Sequence, residues 1–253
     1  MKLSLQMISK SFDENLVLNN VSFHVNNGEF VTLLGPSGSG KSTLFHLIGG
    51  MMSPDEGTIY LNGENVNGKR GLISYMPQQH SLLPWRTVLQ NVVFGQEFSK
   101  KPDLEKAREW LNKVGLGSYE KSYPYQLSGG MKQRVAFIRA LMSPQPFMCF
   151  DEPFSALDEF TRADMQQWLL SIWEQDRRSI LFVTHSIDEA IFMSDRIYIL
   201  SARPATVLKE IQIAFPRPRG KELMLSNEFL TYKRDIYESL QRTKGELVLN
   251  ENH

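Results

Sequence analysis

Short apolar stretches separated by polar turns run through the first part of the chain, and each stretch predicts a β-strand. The polar pair Asn19-Asn20 and the turn Asn26-Asn27-Gly28 divide this region. The predicted strands cover residues 16–18, 21–25 and 29–34, and a further strand with its turn covers 57–63. Between them, a glycine-rich loop is followed by apolar residues at helical spacing over 41–50, where Gly49-Gly50 predicts the end of a helix.

The pattern then becomes helical between about residues 89 and 141. Helices are predicted at 104–114, closed by Gly115, and at 131–141. Strand patterns return at 147–150 and 179–184. This order predicts an α/β fold whose parallel-sheet core is interrupted by a helical insertion and resumes near residue 146. The chain has no internal repeat of roughly 20 to 50 residues, which excludes solenoid and propeller folds.

The end of the chain has a different texture. Residues 215–220, Phe-Pro-Arg-Pro-Arg-Gly, are typical of a linker, and residues 227–241 have a helical pattern. We expect this segment to pack as a C-terminal helix, because the remaining length is too short for a separate folded domain. A regulatory role for the tail is the alternative.

Composition and charge exclude several classes of protein. The 28 basic and 28 acidic residues balance, so no nucleic acid partner is predicted. The single cysteine, Cys149, excludes an intramolecular disulfide and favours a reducing compartment. The start of the chain lacks the pattern of a signal peptide, and no apolar run approaches the roughly 20 residues that cross a bilayer. Any membrane role is therefore expected to depend on a partner.

The glycine-rich loop fits the pattern G-x-x-x-x-G-K-[ST] between a predicted strand and a predicted helix, as this motif requires. Glycines let backbone N–H groups surround phosphate oxygens, and the helix N-terminus adds a partial positive charge. Lys41 is predicted to pair with the β- and γ-phosphates and to act in catalysis, and the Ser42 hydroxyl to ligate Mg²⁺. The predicted nucleotide-binding residues here are Gly35, Pro36, Ser37, Gly38, Ser39, Gly40, Lys41, Ser42 and Thr43.

Two carboxylates follow the apolar strand at 147–150. Asp151, at the strand end, is predicted to hold Mg²⁺ directly or through water. Glu152 would then face the γ-phosphate and polarise the attacking water as the catalytic base. His185, at the end of the next apolar strand, is predicted to contact the γ-phosphate and position that water. A structural histidine is the alternative, and the neighbouring motifs favour the catalytic role.

A second small-residue motif precedes the helix predicted at 131–141. Ser128, Gly129 and Gly130 combine free backbone N–H donors with a helix N-terminus, a pattern that predicts a second anion-binding nest. A simple helix start capped by Ser128 is the alternative. Together with the glycine-rich loop, the motif gives the chain two predicted phosphate-binding elements.

Taken in order, these motifs resemble the nucleotide-binding subunit of ATP-binding-cassette (ABC) transporters over about residues 1–219. The resemblance implies an α/β P-loop NTPase fold with a RecA-like parallel-sheet core, an N-terminal antiparallel β subdomain and an inserted α-helical subdomain. It places the core at about 1–88 and 146–215 and the insertion at about 89–145. A short helical tail then occupies 220–253.

The resemblance also assigns roles that spacing alone does not give. It implies that Phe12 stacks on adenine, and that Gln78 rather than Gln79 ligates Mg²⁺ and reports the nucleotide state to a transmembrane partner. Asp158 would couple two active sites. Ser128, Gly129 and Gly130 would complete the ATP site of a second subunit, so hydrolysis of ATP implies a head-to-tail homodimer with two ATP molecules between the protomers.

Further strings resemble the importer branch that serves nitrate, sulfonate, taurine and some thiamine-precursor substrates; they lie at 82–88, 151–158, 201–204 and 215–219. We therefore expect an ATPase at the cytoplasmic face of the cell membrane, bound to integral-membrane permease subunits and serving an extracytoplasmic solute-binding protein indirectly. The permease groove is predicted near residues 78–88, with Pro84 and Trp85 at the surface; a core position for them is the alternative. The sequence leaves the solute, the identity of the permease and that of the binding protein open.

Two other classes of protein remain open at this point. One is a cassette ATPase that acts on nucleic acid or ribosomes, although such proteins usually carry two cassettes or basic insertions. The other is a P-loop kinase or GTPase whose Ser-Gly-Gly string is accidental. One cassette and zero net charge favour the transport hypothesis over the first of these.

Overall fold

Two β-sheets and the helices around them form the described chain, which comprises residues 3–98 and 101–250 of a computed structural model. The strands are β1 (Leu3–Phe12), β2 (Asn15–Val25), β3 (Phe30–Leu34), β4 (Glu56–Leu61), β5 (Glu64–Asn65), β6 (Ser74–Met76), β7 (Phe147–Asp151), β8 (Ser179–Thr184), β9 (Arg196–Leu200) and β10 (Val207–Gln212). The α-helices are α1 (Lys41–Ile48), α2 (Val88–Val93), α3 (Leu104–Lys113), α4 (Gly129–Met142), α5 (Glu159–Asp176), α6 (Ile187–Met193) and α7 (Asn227–Asn250).

The N-terminal sheet is antiparallel, with the strand order β2-β1-β4-β5. The prediction of separate strands at 16–18 and 21–25 is wrong, because β2 runs unbroken from Asn15 to Val25. Asn20 lies inside this strand at φ 52°, a left-handed conformation that asparagine tolerates. The pairing of β1 with β2 shifts register between Ile8 and Lys10. Asn19-Asn20 therefore marks a bulge within one strand, not a turn between two.

The larger sheet has the order β10-β9-β3-β8-β7-β6. Its pairs from β9 to β6 are parallel, which confirms the predicted core, whereas β10 pairs antiparallel with β9 at the edge. All residues of β3 are buried, because this central strand is covered on both faces. Phe30 and Leu34 join the apolar cluster under the helices, and Val31 and Leu33 join the cluster shared by the two sheets.

Helix α1 confirms the helix predicted at 41–50, although it ends at Ile48 with Gly49 as its C-cap. Its apolar residues belong to the cluster that contains residues of both sheets; they are Leu44, Phe45, Leu47 and Ile48. Burial of this face packs α1 against the sheets. The loop between β3 and α1 is thereby held between two well-packed elements.

Helices α2, α3 and α4 lie between β6 and β7 in the chain, where the helical insertion is predicted. Helix α3 is followed by Gly115 at φ 73°, as the sequence predicts. Helix α4 begins at Gly129, so its first turn includes both glycines of the Ser-Gly-Gly motif. None of the helices in the described ranges has the length and apolar character needed to cross a lipid bilayer.

The C-terminal helix α7 packs on α6, which confirms the predicted packed helix. Phe229 and Ile236 are fully buried, and Lys233 forms an ion pair with Asp188 of α6 at 2.8 Å. The linker prediction for 215–220 is wrong, because Arg219 is only 3% exposed. Its guanidinium donates to carbonyl oxygens at the C-terminal end of α6, those of Ile191, Phe192 and Ser194. A buried arginine at a helix C-terminus satisfies carbonyls that have no partner within the helix.

Candidate functional site

The glycine-rich loop joins the end of β3 to the start of α1. Gly40 adopts φ 97° and packs on β2, where a Cβ would lie 2.9 Å from Leu18 Cδ2 and 3.0 Å from Val17 Cγ1. Only glycine combines this conformation with so close an approach. The loop therefore turns its backbone sharply into the N-terminus of α1, the arrangement expected of a phosphate-binding loop.

We expect Gly40→Ala to destabilise the protein more than the control Gly63→Ala. Both glycines have positive φ, so each substitution costs about 1–2 kcal/mol of backbone strain. A Cβ at Gly63 meets nothing within 4 Å, whereas at Gly40 it overlaps the side chains of Val17 and Leu18. Urea unfolding of the two variants isolates the packing contribution. Equal loss of unfolding free energy would show that the loop moves away from β2 without cost.

Lys41 is the first residue of α1 and is nearly buried, with 6% of its surface exposed. Its ammonium donates to the backbone oxygens of Gly35 at 2.9 Å and Pro36 at 2.8 Å. Burial lowers the pKa of Lys41, and the carboxylates of Glu152 and Asp151 oppose this shift. The amine is therefore held inside the loop by carbonyl oxygens, facing two acidic groups from another strand.

Ser42 and Asp151 connect the loop to the end of β7. The Ser42 hydroxyl donates to Asp151 Oδ2 at 2.9 Å. Burial raises the pKa of Asp151, while the hydrogen bond from Ser42 and the charge of Lys41 act in the opposite direction. A hydroxyl and a carboxylate in contact beside a phosphate-binding loop match the few protein oxygens that Mg²⁺ uses when phosphates supply its other ligands. Thr43, the next residue of α1, is half-buried.

Glu152 stands immediately beyond β7, with its backbone at φ 48°, where residues other than glycine are uncommon. Its N–H donates to the carbonyl of Val183 in the neighbouring β8 at 3.0 Å. One carboxylate oxygen accepts a hydrogen bond from Gln78 Nε2 at 3.2 Å, and the other lies 3.2 Å from His185 Nδ1. Such strained conformations are found disproportionately at functional sites. The carboxylate of Glu152 thus lies between Gln78, which follows β6, and His185, which follows β8.

The structure brings all six predicted catalytic and metal-binding residues to one edge of the larger sheet, the edge at which its parallel strands end. This group comprises Lys41, Ser42, Gln78, Asp151, Glu152 and His185, which follow the carboxyl ends of β3, β6, β7 and β8. Ligands of open α/β sheets bind outside the carboxyl ends of the strands. The choice of Gln78 over Gln79 agrees with the contact that Gln78 makes to Glu152.

Other predicted residues have contacts outside this edge group. Phe12 is at the end of β1, with 43% of its surface exposed, and its ring lies 5.8 Å from Lys10 Nζ. Ser128 is the N-cap of α4, where its hydroxyl accepts a hydrogen bond from the N–H of Met131 at 3.3 Å. The exposed surface of Phe12 and the exposed start of α4 leave both available to a ligand or a second molecule.

Asp158 occupies the N-cap of α5. Its carboxylate accepts a hydrogen bond from the N–H of Thr161 at 3.0 Å, and hydrogen bonding to Thr161 lowers the pKa of Asp158. The loop that leads to Asp158 runs beside the start of α4, since a Cβ on Gly130 would lie 3.4 Å from the carbonyl oxygen of Ala156. The glycines of the Ser-Gly-Gly motif and the loop before Asp158 therefore belong to one exposed surface.

Gln133, which has no predicted role, lies against the backbone of Glu152. Gln133, on α4, is 1% exposed and donates from its amide to the carbonyl oxygens of Glu152 at 3.3 Å and Pro153 at 2.9 Å. It lies one turn after Gly129 on the same helix, so it links the Ser-Gly-Gly motif to the backbone of Glu152. A polar residue on the otherwise apolar, buried stretch of α4 was the only signal in the sequence.

Comparisons with known proteins agree with this arrangement. A family model described as ABC transporter matches residues 18–155. The aliphatic sulfonates import ATP-binding protein SsuB of Bacillus cereus is 41% identical over 246 residues, covering 96% of this chain and 97% of that protein. The nitrate import ATP-binding protein NrtD of Synechocystis is 40% identical over 240 residues, covering 91% of this chain and 90% of that protein.

A solved ATP-binding cassette is also similar in structure. It is a dimer in a post-hydrolysis state bound to ADP and Pi. The TM-score is 0.75 at 31% sequence identity, and the match covers 85% of this chain and 100% of that chain. These relatives confirm the resemblance of the motifs to the ABC transporter family and the predicted P-loop α/β fold. The chain belongs to the ABC transporter family and carries an ABC ATPase domain.

Proposed function

We propose that the protein is the ATP-hydrolysing subunit of an importer for a small solute of the nitrate, sulfonate, taurine or thiamine-precursor type. The relatives named as sulfonate and nitrate import ATP-binding proteins support the importer class. The observation that carries the ATPase mechanism is the position of Glu152, whose carboxylate lies between Gln78 and His185 and directly follows the Asp151–Ser42 pair.

In this proposal the loop from Gly35 to Thr43 binds the phosphates, and Lys41 compensates the charge that develops on the γ-phosphate. Mg²⁺, held by Ser42, Asp151 and Gln78, would neutralise phosphate charge. Glu152 accepts the proton of the attacking water, and His185 orients that water beside the γ-phosphate. The ammonium of Lys41 already lies inside the loop, where it donates to backbone oxygens and feels the charge of both carboxylates. When nucleotide binds, phosphate oxygens would replace these backbone oxygens as its acceptors.

The second half of each ATP site comes, in this proposal, from a second copy of the chain. Ser128, Gly129 and Gly130 would dock on the γ-phosphate of the partner's ATP, with Asp158 coupling the two sites. The exposed start of α4 supports this reading, because it leaves the motif accessible to a second molecule. The dimeric state of the solved relative also supports it. Phe12 would stack on adenine from the exposed end of β1.

Coupling to transport requires contact with integral-membrane permease subunits at the cytoplasmic face of the membrane. Trp85 is 71% exposed and Pro84 is also exposed, which agrees with their predicted surface position. We propose residues 78–88 as the permease groove, since Gln78 at one end contacts Glu152. Closure of the dimer on ATP would then move the permease, and an extracytoplasmic binding protein would deliver the solute.

We also propose that the chain divides into an ATPase domain, residues 1–219, and a short helical tail, residues 220–253. Within the ATPase domain, the helical insertion covers about residues 89–145.

The experiment that tests the shared site is Ser128→Arg. We expect the ATPase rate to fall about a hundredfold or more, because a bulky cation at the start of α4 prevents closure and removes donors from the γ-phosphate. ATP binding to the isolated chain should be retained, since the phosphate loop is untouched. ATP hydrolysis and binding of a fluorescent ATP analogue are measured on the same preparation.

The matched control is Ser226→Arg, which removes a similar serine cap, one that accepts a hydrogen bond from the N–H of Phe229 at 3.1 Å at the start of α7. This variant should keep the wild-type ATPase rate. Unchanged hydrolysis by Ser128→Arg, or equal loss in both variants, would remove the role of the Ser-Gly-Gly motif in the partner's site.

A further inference from the structure

A buried carboxylate behind His185 connects three parts of the catalytic region. Glu189, in the first turn of α6, is 9% exposed. Its Oε2 accepts a hydrogen bond from the hydroxyl of Thr184, the last residue of β8, at 2.5 Å. Its Oε1 accepts one from the amide of Gln166, on α5, at 3.1 Å. Both donors are themselves almost fully buried.

The same carboxylate reaches the loop before Asp158 through an arginine. Arg162 Nε lies 3.9 Å from Glu189 Oε1, and the guanidinium donates to the carbonyl oxygen of Leu157 at 2.8 Å. Leu157 directly precedes Asp158, the N-cap of α5. Glu189 therefore joins the strand end before His185 to the loop that carries Asp158.

The environment of Glu189 fits a carboxylate that works as an acceptor. Burial raises the pKa of Glu189, and hydrogen bonds from Thr184 and Gln166 with the charges of Arg162 and His185 oppose that shift. Thr184 Oγ1 also accepts a hydrogen bond from the N–H of Ser186, so the backbone on both sides of His185 is tied to this carboxylate. A buried polar group with all its partners in place rigidifies the segment that it joins.

We propose that Glu189 is a positioning residue for ATP hydrolysis. Glu189 holds His185 against Glu152, and it ties the segment that carries His185 to the loop before Asp158. This inference rests on the proposed function. His185 is 3.2 Å from Glu152 and is itself exposed, so its place at the site depends on the backbone between Thr184 and α6. In the part of the chain that the structure describes, the hydrogen bonds and ion pairs of this network do not reach the glycine-rich loop, so we expect little change in nucleotide affinity when the network is disrupted.

The test compares Glu189→Gln and Thr184→Val in the full-length chain. Each should lower kcat about tenfold to a hundredfold, because a shift of His185 by roughly an ångström is enough to disrupt catalysis. The KM for ATP should stay within about twofold of the wild type. A merely structural role would instead lower the fraction of folded protein. Titration with a fluorescent ATP analogue measures the folded, ATP-binding fraction, and kcat per ATP-binding molecule would then equal the wild-type value. Thr184→Val keeps the shape of its side chain and serves if Glu189→Gln fails to fold.

Asp188→Asn is the matched control on the same helix. It removes the ion pair with Lys233 of α7, a contact that does not involve Glu189, Thr184 or His185, and should leave kcat unchanged. Loss of kcat in the control equal to that in Glu189→Gln would overturn the proposal, because any disturbance of α6 would then have the same effect.

A double-variant cycle distinguishes action through His185 from an independent effect. In a His185→Ala background, Glu189→Gln should lower kcat by no more than about twofold further. Independent, multiplicative losses would overturn the positioning role. If Glu152→Gln abolishes hydrolysis while Glu189→Gln and Thr184→Val keep wild-type kcat, only this inference fails. If Glu152→Gln hydrolyses ATP at the wild-type rate, the proposed site fails and the role of Glu189 fails with it.

Discussion

Lys41→Ala should reduce ATP affinity by two orders of magnitude or more. The ammonium of Lys41 is nearly buried at the start of α1, where it faces Asp151 and Glu152. Its removal leaves these acidic groups without the positive charge that opposes theirs, so binding of an anionic triphosphate beside them becomes strongly unfavourable. The ammonium would also pair with the phosphates of ATP inside the loop. Loss of one partner from a buried charge pair typically costs about 3–5 kcal/mol, and a loss of this size corresponds to the expected change in affinity. Titration with a fluorescent ATP analogue measures it.

The control for this variant is Lys209→Ala. Lys209 is partly exposed and pairs with Asp235 at 2.6 Å, far from the glycine-rich loop in the sequence. Exposed ion pairs contribute about 0–1 kcal/mol to stability, so this change should leave ATP affinity as it is. Tight ATP binding by Lys41→Ala, with the fold intact by circular dichroism, would contradict the phosphate-binding role of Lys41.

Some elements follow from the sequence because their signals are local. The strand at 179–184 has the bounds predicted for it, since a continuous apolar run is typical of a strand buried on both faces. The helix that begins at Lys41 is equally well marked, because the glycine-rich loop before it and Gly49 after it both restrict the backbone. Residues close in the sequence determine both elements.

Strands that depend on distant partners were harder to predict. No strand was assigned to residues 3–12, yet β1 pairs with both β2 and β4 at the centre of the smaller sheet. Met7 interrupts the alternation at φ 50°, with 64% of its surface exposed. A bulge shifts the pattern of buried residues by one position, so the period-two signal is lost unless the partner strands are known.

The same distinction applies to the candidate site. Motifs of adjacent residues, such as Lys41-Ser42 and Asp151-Glu152, could be identified from the sequence alone. The contact of Gln78 with Glu152 spans 74 residues, and the sequence left Gln79 open as a weaker choice. Gln133 and Glu189 could not be assigned, because their roles follow from hydrogen bonds to backbone and side chains on other elements.

Glu152→Gln should arrest the cycle after ATP binding, as an ATP-bound homodimer that hydrolyses its nucleotide at least about a hundredfold more slowly. Glutamine keeps the size of glutamate and can still contact Gln78 and His185, but its amide cannot accept the proton of the attacking water. Loss of a general base typically costs 10²–10⁴-fold in rate, by order of magnitude. The change also removes a negative charge from beside the γ-phosphate, so ATP and the closed dimer should be retained.

Light scattering with Mg²⁺ and ATP measures the dimer, and phosphate release measures turnover. Glu120→Gln is the control, since Glu120 forms a partly exposed ion pair with Arg108 at 2.8 Å on the helical insertion. This control should hydrolyse ATP normally and should not accumulate as a dimer. Near-normal turnover by Glu152→Gln would place the base elsewhere. If Glu152→Gln hydrolyses ATP slowly but stays monomeric with ATP bound, Glu152 remains the base and the shared site is ruled out. The shared site requires that two ATP-bound chains form a closed dimer as long as their ATP is not hydrolysed.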